Sequence, residues 1–140
     1  MAAAAFKAAA LALACAACTS IAVDQRTFEG TSWRVAAING HATARSEAFR
    51  MSFAHGRFTA RLGCNLAQGI YRVDRGQVVP GFAGHTEMAC YETTPGAVPL
   101  MTFEDWGFDV LHRPMRMDWT SGRTLTLSND AGSIALERIP

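Results

Sequence analysis

The side chains able to do chemistry fall in two short stretches. Cys64 is followed 26 residues later by Cys90, with His85 and Glu87 shortly before it. A cysteine becomes a nucleophile or redox group where an electropositive, accessible site favours the thiolate. Glu87 opposes that, and the two cysteines do not form a Cys-x-x-Cys pair. A structural disulfide, redox chemistry and free thiols are the three readings of the pair, and the spacing favours the first. Cys64, His85 and Cys90 are also zinc-ligand types, but structural zinc sites use four ligands in close pairs. His41, His55 and His112 are scattered in turns or at a helix end, so no metal and no cofactor is expected. In the second stretch Glu104 and Asp105 are adjacent carboxyl groups. Neighbouring helix positions point in different directions, which does not suit a paired acid and base. There is no Gly-x-Ser-x-Gly elbow. The expectation is therefore no catalytic set. His85, Glu87, Phe103 and Trp106 are the candidate binding surface, with Phe108 beside them. The competing reading packs these aromatic residues between helix and sheet.

Charge narrows the partners. The 140 residues contain 13 Lys plus Arg against 12 Asp plus Glu. The single lysine is Lys7, so from Cys18 onward the chain has twelve Arg, twelve acidic residues and no formal net charge. Nucleic-acid binding is driven by neutralising phosphates, and the linear sequence holds no basic stripe for it. It holds no polybasic run for anionic lipid either. A body without lysine also lacks the amine of Schiff-base catalysis and of phosphate-cradling loops.

Residues 1–17 read as a secretory signal. Lys7 supplies the positive end, and Ala8 to Ala17 is a short apolar run closed by small residues. About ten residues is half of what a membrane-spanning helix needs. Ala16-Ala17-Cys18-Thr19 resembles a bacterial lipobox, in which the cysteine is acylated and becomes the N-terminus. Cys18 is the expected lipidation site, with Cys15 the alternative. Residues 18–28 are expected to be a tether and 29–140 one domain. Export would place Cys64 and Cys90 in an oxidising space, where paired thiols form disulfides. Closing a loop of that length stabilises the fold by about 3–4 kcal/mol.

These residues must be positioned by short strands. Thr31–Ile38 ends at Asn39-Gly40, a dipeptide suited to a tight hairpin turn. Phe49–Phe53 and Arg57–Leu62 alternate apolar and polar residues across His55-Gly56. Gly69–Val73 and Gln77–Val79 flank Asp74-Arg75-Gly76. Met115–Trp119, Thr124–Ser128 and Ser133–Glu137 follow. About eight short strands at this spacing predict a mainly β fold, an antiparallel barrel or two-sheet structure. Leu100–Leu111 is the exception, a predicted short helix capped by Thr102, with Gly107 weakening it by about 1 kcal/mol. Trp33 is expected inside and Arg34 outside on the first strand.

The order of motifs resembles a known family. Gly30-Thr31-Ser32-Trp33, Ile38-Asn39-Gly40, Gly63-Cys64-Asn65, Thr86 with Met88-Ala89-Cys90, and a closing Leu125-Thr126-Leu127 are similar to the META domain family, the HslJ-like heat-shock lipoproteins. The resemblance implies a compact, mostly β domain with one helix, located in the bacterial envelope and linked to stress or antibiotic tolerance. It implies no catalytic residues. Glu87 departs from the family's usual arginine. The expected function is a non-enzymatic envelope lipoprotein that binds an envelope protein or a small ligand, faces the periplasm, and touches the membrane only through its lipid. A soluble periplasmic barrel with an internal ligand pocket is the alternative, and an uncharacterised enzyme the third reading.

Overall fold

The computed structural model describes residues 25–91 and 95–140. The expected leader and both Cys15 and Cys18 lie outside the described residues. Nine strands and one helix follow a 3-10 turn at Gln25–Thr27. The strands are β1 (Thr31–Ile38), β2 (His41–Ala42), β3 (Phe49–Ala54), β4 (Arg57–Leu62), β5 (Leu66–Asp74), β6 (Gln77–His85), β7 (Met115–Ser121), β8 (Thr124–Asn129) and β9 (Gly132–Arg138). Helix α1 (Leu100–Leu111) lies between β6 and β7. Every strand pair is antiparallel, and β9 returns to β1 with Val35 opposite Leu136 and Ile38 opposite Ile134. The sheet thus closes into an eight-stranded barrel, with β2 as an extra strand on β1. Asn39 and Gly40 both have positive φ, 50° and 77°, as the turn into β2 requires.

Alternation decides which side chains enter the barrel. Along β4 the pattern is strict: Phe58, Ala60 and Leu62 are buried while Arg57, Thr59 and Arg61 are exposed. An eight-stranded barrel is just wide enough for side chains to fill. Trp33, Val35, Phe53, Phe58, Leu125, Leu127 and Ile134 fill this one. A small ligand would therefore have to use an outer cleft, and the internal pocket of the alternative reading is occupied by protein.

The two ends are sealed differently. At one end Phe28 is fully buried and packs 4.8 Å from Phe53, near Tyr71 and Trp119. Phe28, the last residue of the expected tether, is thus part of the core. At the other end α1 buries Phe103, Phe108, Val110 and Leu111. Each such side chain contributes about 1.5–3 kcal/mol, well above the helix penalty of Gly107. Gly107 is also what permits that burial, because a Cβ there would collide with the Leu62 side chain.

Several local expectations change. The helix starts at Leu100 with Pro99 as its N-cap and no side-chain cap, so Thr102 is not the cap. The Pro99 carbonyl accepts from the backbone N–H groups of Thr102 and Phe103 instead. Strands β5 and β6 are longer than predicted, and β6 runs through Pro80, Gly81 and Gly84. Only Gln77 and Val78 of β6 pair with β7. Beyond them the pairing with β7 ends, while β6 stays paired with β5 as far as His85.

Candidate functional site

A cleft of about 610 Å³ lies between residues 85–89 and the outer side of α1. Its floor is built on Asn65, which is 1% exposed. The Asn65 side chain uses all four of its hydrogen-bonding positions. Oδ1 accepts from the Met88 backbone N–H at 2.7 Å and from Thr86 Oγ1 at 2.9 Å. Nδ2 donates to the Met88 carbonyl at 2.9 Å and to Glu104 Oε1 at 2.7 Å. The Asn65 backbone N–H donates to Glu104 Oε2 at 2.6 Å. Thr86 Oγ1 in turn accepts from the Leu66 backbone N–H at 3.1 Å. One asparagine thereby fastens an irregular segment, a helix and a strand.

The neighbouring residues complete the frame. Cys64 and Cys90 form a disulfide with Cα atoms 5.9 Å apart, on the two chain segments that Asn65 joins. Gly63 sits against the helix start, where a Cβ would stand 2.6 Å from the Leu100 carbonyl oxygen. The stretch Gly63-Cys64-Asn65 therefore supplies, in order, room for the helix, a covalent tie and a hydrogen-bond hub. Met88-Ala89-Cys90 is its counterpart. Ala89 lines the cleft, while Met88 gives its backbone to Asn65 and leaves its side chain 61% exposed.

The other motif residues act at the far end. Gly30 has φ 73° and its N–H donates to the Phe53 carbonyl at 2.8 Å. Thr31 Oγ1 donates to the Phe28 carbonyl at 2.6 Å and accepts from Trp33 Nε1 at 2.8 Å. Trp33 is fully buried, so its indole is a core anchor with a satisfied donor.

The expected binding surface is divided by the fold. His85 and Glu87 line the cleft. Phe103 does not; it is 5% exposed and meets Phe49 edge-on at 5.4 Å. Trp106 lies on another flank of α1, against His41 at 5.2 Å. Both are packing residues because α1 turns that side towards β2 and β3. Phe108, expected beside that surface, does line the cleft, and Asp105, Asp109 and His112 join it. The ring of His85 packs on Phe108 at 4.8 Å, and that of His112 on Phe82 at 4.2 Å. Their Nδ1 atoms lie 2.9 and 2.6 Å from the carbonyl oxygens of Thr86 and Phe108. With Glu87 the exposed rim is acidic, and no arginine lines it.

Glu104, one of the two adjacent carboxyl groups, is 3% exposed and held by Asn65, while Asp105 is exposed on the rim. The two do not share a reacting position. Glu104 was hidden from sequence reasoning because its partner lies 39 residues away. Among the described residues no group of three His, Cys, Asp or Glu side chains is placed to hold a metal ion. No helix among them is long and apolar enough to cross a membrane.

The family model for the META domain matches residues 26–138. The chain belongs to the META domain family. This META domain covers nearly all of the described chain, and the META domain is not a known enzyme family. The fold recurs in an NMR structure aligned over 82% of this chain and 94% of the other, with a TM-score of 0.64 and 15% identity. A second NMR structure, of a protein from Burkholderia xenovorans, aligns over 81% and 85% with a TM-score of 0.57 and 22% identity. No curated protein matches the sequence.

Proposed function

We propose that this META domain is a non-enzymatic binding module of the bacterial envelope. In this reading it is lipid-anchored through Cys18, or Cys15, and associated with stress or antibiotic tolerance. The observation that carries the binding role is the cleft beside α1. Its frame is fixed by the Asn65 hydrogen bonds and the Cys64–Cys90 disulfide, yet it presents exposed Glu87, Met88, Asp105 and Asp109. A rigid support beneath exposed apolar and acidic side chains lowers the ordering cost of binding. The occupant this chemistry suits is a basic segment of an envelope protein with an apolar side chain for Met88 and Phe108.

Photo-crosslinking from position 88 in living cells tests the cleft. A discrete adduct that disappears in D105R/D109R supports the reading, and an adduct that persists there counts against it. Mass spectrometry of the mature N-terminus tests the anchor. An acylated Cys18 or Cys15 supports it, and an unmodified N-terminus at another residue removes it. Survival of a deletion strain under heat and antibiotic challenge, restored by wild type but not by D105R/D109R, would join the cleft to tolerance.

A further inference from the structure

The outer faces of β1, β3 and β4 carry two rows that strand register alone creates. In one, Ser32 stands opposite Ser52 and Ser52 opposite Thr59. In the next, Arg34 stands opposite Arg50 and Arg50 opposite Arg61. The intervening Trp33, Met51 and Ala60 are buried, so both rows face outward. Neighbouring strands are about 4.7–4.9 Å apart, and like charges directly opposite each other destabilise a sheet. A sheet exterior needs polar residues, but alternating signs would serve that need without repulsion. Three arginines in line require another reason.

Their partners are incomplete. Glu137 holds Arg34 at 2.7 Å and Glu47 holds Arg50 at 2.5 Å. Arg61 has no acidic partner among the described residues, and Arg45 borders the same face, where its charge acts on Glu137. The arginines surround two adjoining hollows of about 380 and 200 Å³, which share Glu47 and Arg50. Beneath the larger hollow the hydroxyls of Ser52 and Thr59 lie 2.6 Å apart, either able to donate. A guanidinium offers forked donors that match a phosphate edge, which a lysine cannot. Hydroxyls that can reorient supply further donors to the same oxygens.

We infer that this face binds a free anion of the diphosphate class. One phosphoryl group sits between Arg50 and Arg61 above Ser52 and Thr59. The other turns towards Arg34 and Arg45. The Glu47 side chain, 76% exposed, gives way to it. Bound anion would neutralise the arginine row, so the repulsion present in the free protein becomes part of the affinity.

The test titrates the full chain with inorganic diphosphate at low ionic strength and follows backbone amide resonances. Saturable shifts are expected at Arg50, Ser52, Thr59 and Arg61, weakening as salt is added. R61Q should bind at least about tenfold more weakly through loss of a forked, charge-assisted contact. Its melting temperature without ligand should equal or exceed wild type, because a like-charge neighbour is gone. E47Q should bind several-fold more tightly, an arm that does not depend on R61Q. No saturable shift, unchanged affinity in R61Q or in E47Q, or orthophosphate binding as tightly as diphosphate would overturn the assignment. Binding to anionic phosphatidylglycerol vesicles without binding of free diphosphate would also overturn it.

Discussion

Asn65 and Glu104 are 39 residues apart in sequence and share two hydrogen bonds, one from the asparagine backbone and one from its side chain. Both residues are almost fully buried. Replacing Asn65 by Ala would keep the backbone N–H bond to Glu104 Oε2 but strand Glu104 Oε1 and remove the side-chain partners of both backbone groups of Met88. A buried polar group left without a partner costs about 1–3 kcal/mol. N65A should therefore lose about 2–4 kcal/mol in denaturant unfolding, allowing for partial access of water. A double-mutant cycle with E104A should return a coupling of at least about 1 kcal/mol. Additive losses would show that the two residues act separately.

The disulfide spans a loop of 26 residues. C64S/C90S should unfold with a loss of about 3–4 kcal/mol, the loop-closure contribution. The Asn65 hydrogen bonds remain in that variant, so it should still fold. Hydrogen exchange should quicken first at residues 86–90, which no strand holds. Unchanged exchange there would mean that Asn65 alone fixes the segment.

Gly107 and Leu62 form a tight pair between helix and barrel. G107A gains helix propensity of about 1 kcal/mol but overpacks against Leu62, a fault that costs about 1–3 kcal/mol. The net effect should be destabilising. In an L62A background, where the space is open, the same change should become neutral or stabilising. Thermal melts of the four proteins decide it, and a stabilising G107A in wild type would refute the close contact.

Glu29 links the Phe28 end to the β3–β4 turn. Its carboxylate accepts from Tyr71 Oη at 2.9 Å, from the Gly56 N–H at 3.3 Å and from the His55 N–H. The Tyr71 hydrogen bond leads in holding its pKa below the ordinary glutamate value. Burial, followed by the Glu29 contact, pushes the Tyr71 phenol up. A depressed carboxylate pKa means that the native state binds fewer protons than the unfolded chain. Its stabilisation is complete above the unfolded value and is lost as pH falls through the folded one. Melting curves from about pH 7 to about pH 3 should show E29Q furthest below wild type at neutral pH, with the gap closing on acidification. Glu137, lowered by its Arg34 hydrogen bond, acts in the same direction, so E29Q removes part of the acid sensitivity and not all of it.

Much of the barrel was legible because its signals are local. The turn at Asn39-Gly40 and the alternation of Phe58, Ala60 and Leu62 need only adjacent residues. The length of β6 was not, because Pro80, Gly81 and Gly84 mark breaks unless a partner strand is already in place. The site was less visible still. His85 and Glu87 do line the cleft, but Asp109 and His112 join them only because the fold sets α1 beside residues 85–89. Phe103 and Trp106 carry the same aromatic signal whichever side of the helix faces the barrel. The arginine row shows the limit most plainly. Its members lie in three segments of a formally neutral body, and only register sets them side by side.

The strand made last closes the barrel against the first, with Trp33 opposite Arg138. A chain made from its N-terminus therefore has no closed barrel until β9 has emerged. Hairpins such as β3–β4 can pair early, but the seam between β1 and β9 must wait. Such long-range closure slows folding and leaves open sheet edges in the interval.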